Sequence, residues 1–509
     1  MVDKVEITKA EHEKLLTFQN MYVTEFKEGF TKNTLDFDNE EAEKTVNRAL
    51  SGHFFNNDKF VPKRFIDWLL KAYREKTFIT IMNDQGGDVI HRYSDNTGIY
   101  HNDGIPTIEQ DLSRILDEKV KPSLYTSVIK QMKVQTYTKP EDFVENPHIV
   151  VMSNGAFNIL TGELEPFNQH YNALSRIPVT YDPDATCPTF IKFLNEVIRD
   201  DVEFMQEWIG YLFLKDYRFQ RCVVLHGDGD NGKSTLINVI EALLGPENIQ
   251  SKTLYELTSD RFAKADLFGK MANLARDIGS DELKYTGIIK TLTGNDMVSA
   301  QRKNRDPFQF KNYAKLWFAC NQIPTTPDES LAFFKRFIVV VFSIIISQDQ
   351  QDPLLTQKMI TPEELSGIFN WGCKGLKRAL ERGYLLETRD TVEKKELYLA
   401  MSDPVRGFFN ENINEEYKSF ETKQDVLNAF FEYCRGKHFV IPSERTFYED
   451  FKNMANIKNY NPKLYSADHP KGKQTACYKG ISLVFDRHRS TYWKSKDDFI
   501  AQTGGQIAL

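Results

Sequence analysis

Eight residues, Gly227-Asp228-Gly229-Asp230-Asn231-Gly232-Lys233-Ser234, restrict what this chain can fold into more than any other stretch of it. The apolar run Cys222-Val223-Val224-Leu225 leads into them, and Thr235-Leu236-Ile237-Asn238-Val239-Ile240 leads away with the spacing of a helix. The pattern G-x-x-x-x-G-K-[ST] between a strand and a helix is a loop built to hold phosphate. Its glycines let backbone N–H groups converge on anionic oxygens at the positive end of the following helix. Lys233 can reach the β- and γ-phosphates of a nucleotide, and the Ser234 hydroxyl can ligate Mg²⁺. ATP and Mg²⁺ are therefore the expected cofactors, with Gly227, Asp228, Gly229, Asp230, Asn231, Gly232, Lys233, Ser234 and Thr235 around the phosphates.

Such a loop serves kinases, transporters and motors alike, so the later strand ends decide between them. Met271 to Ala275 reads as a second strand and ends in Arg276-Asp277. A carboxylate at that position sits beside the loop and can hold Mg²⁺ through water, while as a bare strand end it would do nothing. Asp281 and Glu282 follow, open to two readings: groups that orient the attacking water, or charges at a helix N-terminus. A third strand, Lys315-Leu316-Trp317-Phe318-Ala319-Cys320, ends in Asn321-Gln322-Ile323-Pro324. An amide there can contact the γ-phosphate or the lytic water. Asn before a turn is common in itself, so its weight comes from order and spacing.

The phosphate loop, the acidic strand end, Leu292-Thr293-Gly294-Asn295-Asp296 and Phe318-Ala319-Cys320-Asn321-Gln322-Ile323-Pro324 all fall between residues 227 and 324. This array resembles the superfamily 3 helicases, AAA+-related motors of small viruses, phages and plasmids. It is most similar to the helicase part of phage/plasmid and poxvirus primase-helicases. Asn154-Gly155, Thr161-Gly162-Glu163-Leu164 and Ile177-Pro178-Val179-Thr180-Tyr181-Asp182-Pro183 are similar to the segment that precedes the motor in that group. The resemblance implies Walker A roles for Lys233 and Ser234, the Walker B acid at Asp277 and sensor 1 at Asn321. It also implies an arginine finger at Arg336, within Phe333-Phe334-Lys335-Arg336-Phe337, whose plainer reading is a basic residue capping a strand. A finger completes a neighbour's site, so the expected assembly is a ring, typically a hexamer. Many relatives place two adjacent acids at the second strand end, whereas Arg276 precedes Asp277 here.

Between Asp296 and Lys315, apolar alternation flanks the basic centre Gln301-Arg302-Lys303-Asn304-Arg305 and reads as a hairpin. In the resembled family such a hairpin projects into the central channel. Arg302, Lys303 and Arg305 are then the expected contacts to the backbone of single-stranded or forked DNA, because phosphate contacts need cations and little base readout. A net charge of −7 is not that of a protein that coats nucleic acid. A ring needs positive charge only along its channel.

The expected fold class is α/β: an AAA+-like P-loop ATPase core with an N-terminal α+β region and a C-terminal winged-helix-like domain. The boundaries are an N-terminal region over 1–185, a helical lead-in over 186–220, the ATPase core over 221–345, a helical segment over 346–403, the winged-helix-like domain over 404–490 and a tail over 491–509. Residues 1–60 read as polar and helical. Phe65, Trp68, Leu69 and Tyr73 share a helix face, and Ser153-Asn154-Gly155 turns a hairpin. In the C-terminal part Val426, Leu427, Phe430 and Phe431 mark one helix, and Pro442-Ser443 opens a second with Phe447, Phe451 and Met454 inward. Arg445, Lys452 and Asn453, with Lys471 and Lys473, could meet DNA; such domains equally dock on proteins, and Glu444, Glu449 and Asp450 suit that.

Six cysteines without a Cys-x-x-Cys pair argue against a disulfide framework or a zinc site. The longest apolar run, Phe337 to Ile346, is too short to cross a bilayer, and the first residues lack a signal-peptide layout. No membrane partner is expected, and the expected location is cytoplasmic, the host cell cytoplasm for a viral protein. The family likeness implies 3′-to-5′ travel at the replication forks of a mobile element, with a primase or other replication proteins as partners. Two rivals stand beside it. A fused primase-polymerase would need metal-binding carboxylates, for which Asp36-Phe37-Asp38 has the spacing but little room for a sheet. A nucleotide-switched initiator would bind DNA through the winged helix without unwinding.

Overall fold

The computed structural model describes residues 54–484, apart from 58, 74–76, 83–87, 140–141, 228–230, 277, 279–285, 304–306, 322, 327, 329, 343, 345, 438, 440, 455–456 and 467–468. The expected N-terminal helix before residue 54, Asp36 and Asp38, and the tail over 491–509 lie outside the described residues. Within 54–60 the chain is not helical: Phe55–Asn56 pairs antiparallel with Lys59–Phe60. Phe54, Phe55 and Phe60 crowd against Phe65 and Trp68, and burial of these rings outweighs the polar composition around them.

Helix α1 (Pro62–Ala72) begins at a proline, whose missing N–H costs nothing in a first turn. It buries Phe65, Ile66 and Leu69 against α2 (Gly104–Leu116) and α3 (Pro122–Gln135). A four-stranded sheet orders β3 (Ile99–His101), β2 (Asp88–Ser94), β1 (Phe78–Met82) and β4 (Tyr137–Thr138) from edge to edge. A three-stranded meander follows, β5 (Ile149–Val151), β6 (Ala156–Asn158) and β7 (Glu163–Glu165), with the hairpin turning at 153–155 as its sequence predicts.

The lead-in is two helices, α4 (Pro188–Val197) and α5 (Val202–Leu212), parted by a 3-10 turn at Arg199–Asp201. Phe204, Trp208, Ile209 and Leu212 are all buried, as their spacing predicts. Helix α5 lies along α9 (Pro362–Arg382) at very close range: a methyl group on Gly210 would meet the Gly372 carbonyl at 2.1 Å. Glu364 of α9 accepts hydrogen bonds from the Thr189 and Phe190 amides at 3.0 and 3.2 Å. Those amides have no partner within α4, so a carboxylate there fixes the start of that helix.

The central sheet is parallel throughout, ordered β9 (Ile249–Gln250), β10 (Ala272–Ala275), β13 (Lys315–Cys320), β8 (Cys222–His226) and β14 (Phe337–Val341). Every residue of β8, β10 and β13 is buried, which is why these strands read as unbroken apolar runs rather than alternations. Helix α6 (Lys233–Leu244) covers one face, and the largest apolar cluster lies beneath it, joining Trp208, Leu236, Ile240, Trp317 and Phe369.

On the other face a second cluster runs without a break from the sheet into the C-terminal part. Tyr398 of α10 (Thr391–Ser402) stands among Phe333, Phe334 and Phe337 and donates to the Pro324 carbonyl at 2.9 Å. Then come α11 (Pro404–Asn412), β15 (Ile413–Thr422), α12 (Lys423–Lys437), α13 (Glu444–Phe451), β16 (Lys458–Tyr460), the hairpin β17 (Lys463–Ser466) with β18 (His469–Gln474), and β19 (Cys477–Leu483). The two helices fall where their apolar spacing predicts, with Val426, Leu427, Phe430, Phe447 and Phe451 buried. Strand β15, polar and largely exposed, is the addition; it pairs antiparallel with β19, giving the order β15-β19-β16.

Candidate functional site

A parallel sheet gathers the carboxyl ends of its strands along one edge, the usual position for ligands. His226 ends β8 opposite Cys320 of β13 and Val341 of β14. The chain leaves β8 through Gly227, whose amide donates to the Cys320 carbonyl at 3.3 Å. A methyl group on Gly227 would fall 2.3 Å from the Asn231 amide nitrogen and 2.6 Å from the Phe342 carbonyl, so only glycine fits. Gly232 has φ +94, a left-handed conformation that costs glycine nothing, and packs beneath Phe193. Helix α6 begins at the next residue.

Lys233 is buried, and its ammonium donates to the Gly227 carbonyl at 2.5 Å and to Asn231 Oδ1 at 3.2 Å. Asn231 in turn donates to the Phe342 carbonyl at 3.4 Å. The ammonium is thus tied to the loop's own oxygens. Ser234 is exposed one residue into the helix.

These groups open on a cleft of about 1570 Å³ lined by Asn231, Gly232, Lys233, Ser234, Thr235 and Asn321, the residue following β13. The cleft also takes in Arg276, Phe193 and Arg199 from the lead-in, and Ile344, Ile346 and Lys358 from the far side. Asp228, Gly229, Asp230, Asp277, Asp281 and Glu282 lie outside the described residues, as does Arg305. Arg276, the departure from a doubly acidic strand end, has its own occupation: its guanidinium donates to Asn238 Oδ1 at 2.6 Å and pairs with Glu241, both on α6.

Arg336 lies at the opposite edge of the sheet. It precedes β14, and its carbonyl accepts from the Cys222 amide at the very start of β8. Its guanidinium is half-buried, donating to Thr293 Oγ1 at 3.1 Å and to the Ala332 carbonyl at 2.5 Å. Burial holds its pKa below the ordinary value. Thr293 belongs to the Leu292-Thr293-Gly294-Asn295-Asp296 motif, so two segments singled out separately in the sequence meet here. Asp328 organises the approach, accepting from Lys290 and Thr286 at 2.6 Å each and from Ser330.

Strands β11 (Met297–Ala300) and β12 (Phe308–Lys311) form the expected hairpin. Val298, Ala300, Phe308 and Phe310 face inward; Met297, Ser299, Gln309 and Lys311 face solvent. Arg302 and Lys303 are exposed at its end, the Arg302 guanidinium 6.0 Å from the centre of the Phe308 ring. Neither lines the cleft.

Sequence reasoning missed Arg199. It is exposed, lines the cleft and adopts φ +38, a left-handed backbone that an L-residue other than glycine rarely holds. The other cations of the cleft are engaged: Lys192 with Glu196, Lys358 with Asp352 and Arg276 with Glu241. Arg199 has no ion pair among the described residues. Only its strained backbone marks it, and no sequence pattern carries that.

Comparison with known proteins adds a lineage to this geometry. A family model described as D5 N terminal like matches residues 55–199. The chain carries a D5 N terminal like region. Further along the chain, residues 225–336 match a family of unknown function, DUF5906. Behind the D5 N terminal like region, then, stands the parallel sheet with its cleft.

Two viral relatives are both named "Putative helicase". The one from Acanthamoeba polyphaga mimivirus is 32% identical over 127 residues, 23% of this chain and 13% of the relative. The one from Invertebrate iridescent virus 6 is 22% identical over 372 residues, 64% of this chain and 37% of the relative. The chain therefore spans 13% and 37% of the lengths of these two relatives. The helicase resemblance read from the motifs and these relatives agree. Among solved structures, the apo NrS-1 C terminal region is 12% identical, with a TM-score of 0.40 over 82% of this chain and 99% of that one, a likeness too loose to argue from. No described helix is long and apolar enough to cross a membrane.

Proposed function

We propose that this chain is an ATP-driven, ring-forming DNA helicase serving the replication of a virus, phage or plasmid. One observation carries the reading: Lys233, Ser234 and Asn321 share a cleft at the carboxyl edge of the parallel sheet, while Arg336 stands at the amino edge. A nucleotide in the cleft is out of reach of its own chain's Arg336 but open to a neighbour's in a head-to-tail ring. The strand order β9-β10-β13-β8-β14, with the loop leaving a central strand, supports an AAA+-like P-loop core.

In this reading Lys233 exchanges the Gly227 carbonyl for phosphate oxygens, and Asn321 orients the attacking water. Arg199 supplies a second cation from the lead-in. Ser234 and Asp277 would hold Mg²⁺, which neutralises charge developing on the phosphates. Arg336 of one subunit stabilises the transition state in the next. Arg302, Lys303 and Arg305 grip one DNA strand, and 3′-to-5′ travel follows from the family likeness alone. The topology of the C-terminal part, a strand before two helices and a hairpin after them, supports a winged helix.

The test is the ATPase rate of the intact protein with and without single-stranded DNA, alongside the particle mass. A DNA-stimulated rate, absent in Lys233→Ala, from a multimeric particle is expected. A monomer whose rate ignores DNA would refute the motor. Unwinding that survives removal of residues after 403 would exclude the initiator that only binds.

A further inference from the structure

The C-terminal sheet has two unlike faces. Tyr478 points from β19 into the helical core, its ring 5.0 Å from that of Phe451. On the other face the cross-strand register sets Phe420, Lys479 and Lys458 in one row across β15, β19 and β16, with Tyr460 one step along. Lys458 and Lys479 are thus direct cross-strand neighbours, both exposed, and neither is ion-paired among the described residues. Like charges in that relation oppose sheet formation. An anion lying across both would remove that penalty.

Aromatic rings are interleaved with these cations. The Tyr460 and Phe420 rings lie 5.4 Å apart, and the Lys479 ammonium is 5.4 Å from the Tyr460 ring centre. Tyr460 is 38% exposed. Helix α13 offers a different surface: Glu444, Glu449 and Asp450 lie on it, and Arg445 is drawn onto Glu449 at 3.0 Å. Its charge repels phosphate.

We propose that this open face of the β15-β19-β16 sheet binds single-stranded nucleic acid without regard to sequence, with Lys458 and Lys479 on phosphates and Tyr460 under a base. Cations that track a backbone beside rings that stack on bases are what such binding needs. The chemistry excludes a duplex as the favoured ligand, since paired bases present no free ring faces. This surface is independent of the cleft and of the hairpin at Arg302 and Lys303, so it stands whether or not the chain hydrolyses ATP.

The experiment titrates a fluorescent oligothymidylate strand, and separately a blunt duplex of equal length, into the full chain without nucleotide, over a range of salt. For the strand, Lys458→Glu with Lys479→Glu should weaken binding about tenfold or more and lower the salt slope by ~1.4, two lost contacts to a single strand. Tyr460→Ala should weaken strand binding about fivefold or more with little change in that slope. Thermal midpoints matching the unaltered chain establish that each variant is folded. Strand affinity and salt slope unchanged in the folded double variant would overturn the proposal. So would equal losses for strand and duplex in Tyr460→Ala, because stacking on free bases could not produce them.

Discussion

The Cys222 amide donates to the Arg336 carbonyl at 2.7 Å, which fixes Arg336 at the foot of the strand whose head is the Lys233 loop. Five strand residues separate the two ends, about 16 Å at ~3.3 Å per residue. A guanidinium cannot bridge that distance to its own loop. In a ring it would act across a subunit boundary, and its loss should cost about 10³-fold or more in rate. Mixing Arg336→Ala subunits with Lys233→Ala subunits should restore part of the ATPase activity, since some boundaries regain both groups. Mixtures as inactive as their components would sink the trans assignment.

Arg199 lines the cleft on a strained backbone. A left-handed backbone costs an L-residue ~1–2 kcal/mol, so Arg199→Gly should raise stability in urea unfolding by about 1 kcal/mol. The same change should weaken nucleotide binding, because a cation leaves the cleft. Tighter or unchanged binding would show that the residue faces the cleft without serving it.

Lys303 stands at the end of the β11–β12 hairpin, away from the cleft. Lys303→Ala should lower the DNA-stimulated ATPase rate relative to the DNA-free rate and reduce the salt slope of strand binding by ~0.7 per lost contact. An unaltered stimulation ratio would remove the hairpin from the coupling.

Lys315, which opens β13, is fully buried. Its ammonium donates to the Leu214 and Tyr313 carbonyls at 2.7 and 2.8 Å and sits 4.2 and 5.2 Å from the Tyr211 and Tyr217 ring centres. Burial lowers its pKa from 10.5 to about 7, with Asp216 acting to raise it and Arg218 to lower it. The unfolded chain therefore binds more protons between pH ~7 and ~10.5, and this lysine makes stability rise with pH across that window. As pH falls from ~10.5 to ~7 the gain is lost, and below ~7 this lysine leaves stability level. Lys315→Met should flatten the rise in unfolding free energy between those limits; an identical slope in both proteins would contradict the assignment.

What the sequence made legible follows from burial. Strands β8, β10 and β13 are sealed on both faces, so their composition announces them, and the loop after β8 is spelled in residues with few alternative uses. Strand β15 was hidden because Asn414-Glu415-Glu416-Tyr417-Lys418 lies largely in solvent, and nothing in its apolar spacing marks a strand. The pair at 55–60 was hidden in polar surroundings for a related reason: its rings find partners only in tertiary structure. Arg199 was hidden because backbone conformation, not residue type, distinguishes it. The opposition of Arg336 to Lys233 needed the register of β8 against β14, which no single-strand pattern contains.

The placement of Tyr398 among Phe333, Phe334 and Phe337 bears on how the molecule can be cut. Fragments ending before 398 would leave three phenylalanine rings bare beside Arg336 and should self-associate nonspecifically. Those ending beyond 403 retain the tyrosine lid. It also links the C-terminal sheet to the backbone carrying Arg336, so that in the proposed ring a strand held far from the cleft would be felt at the boundary between subunits.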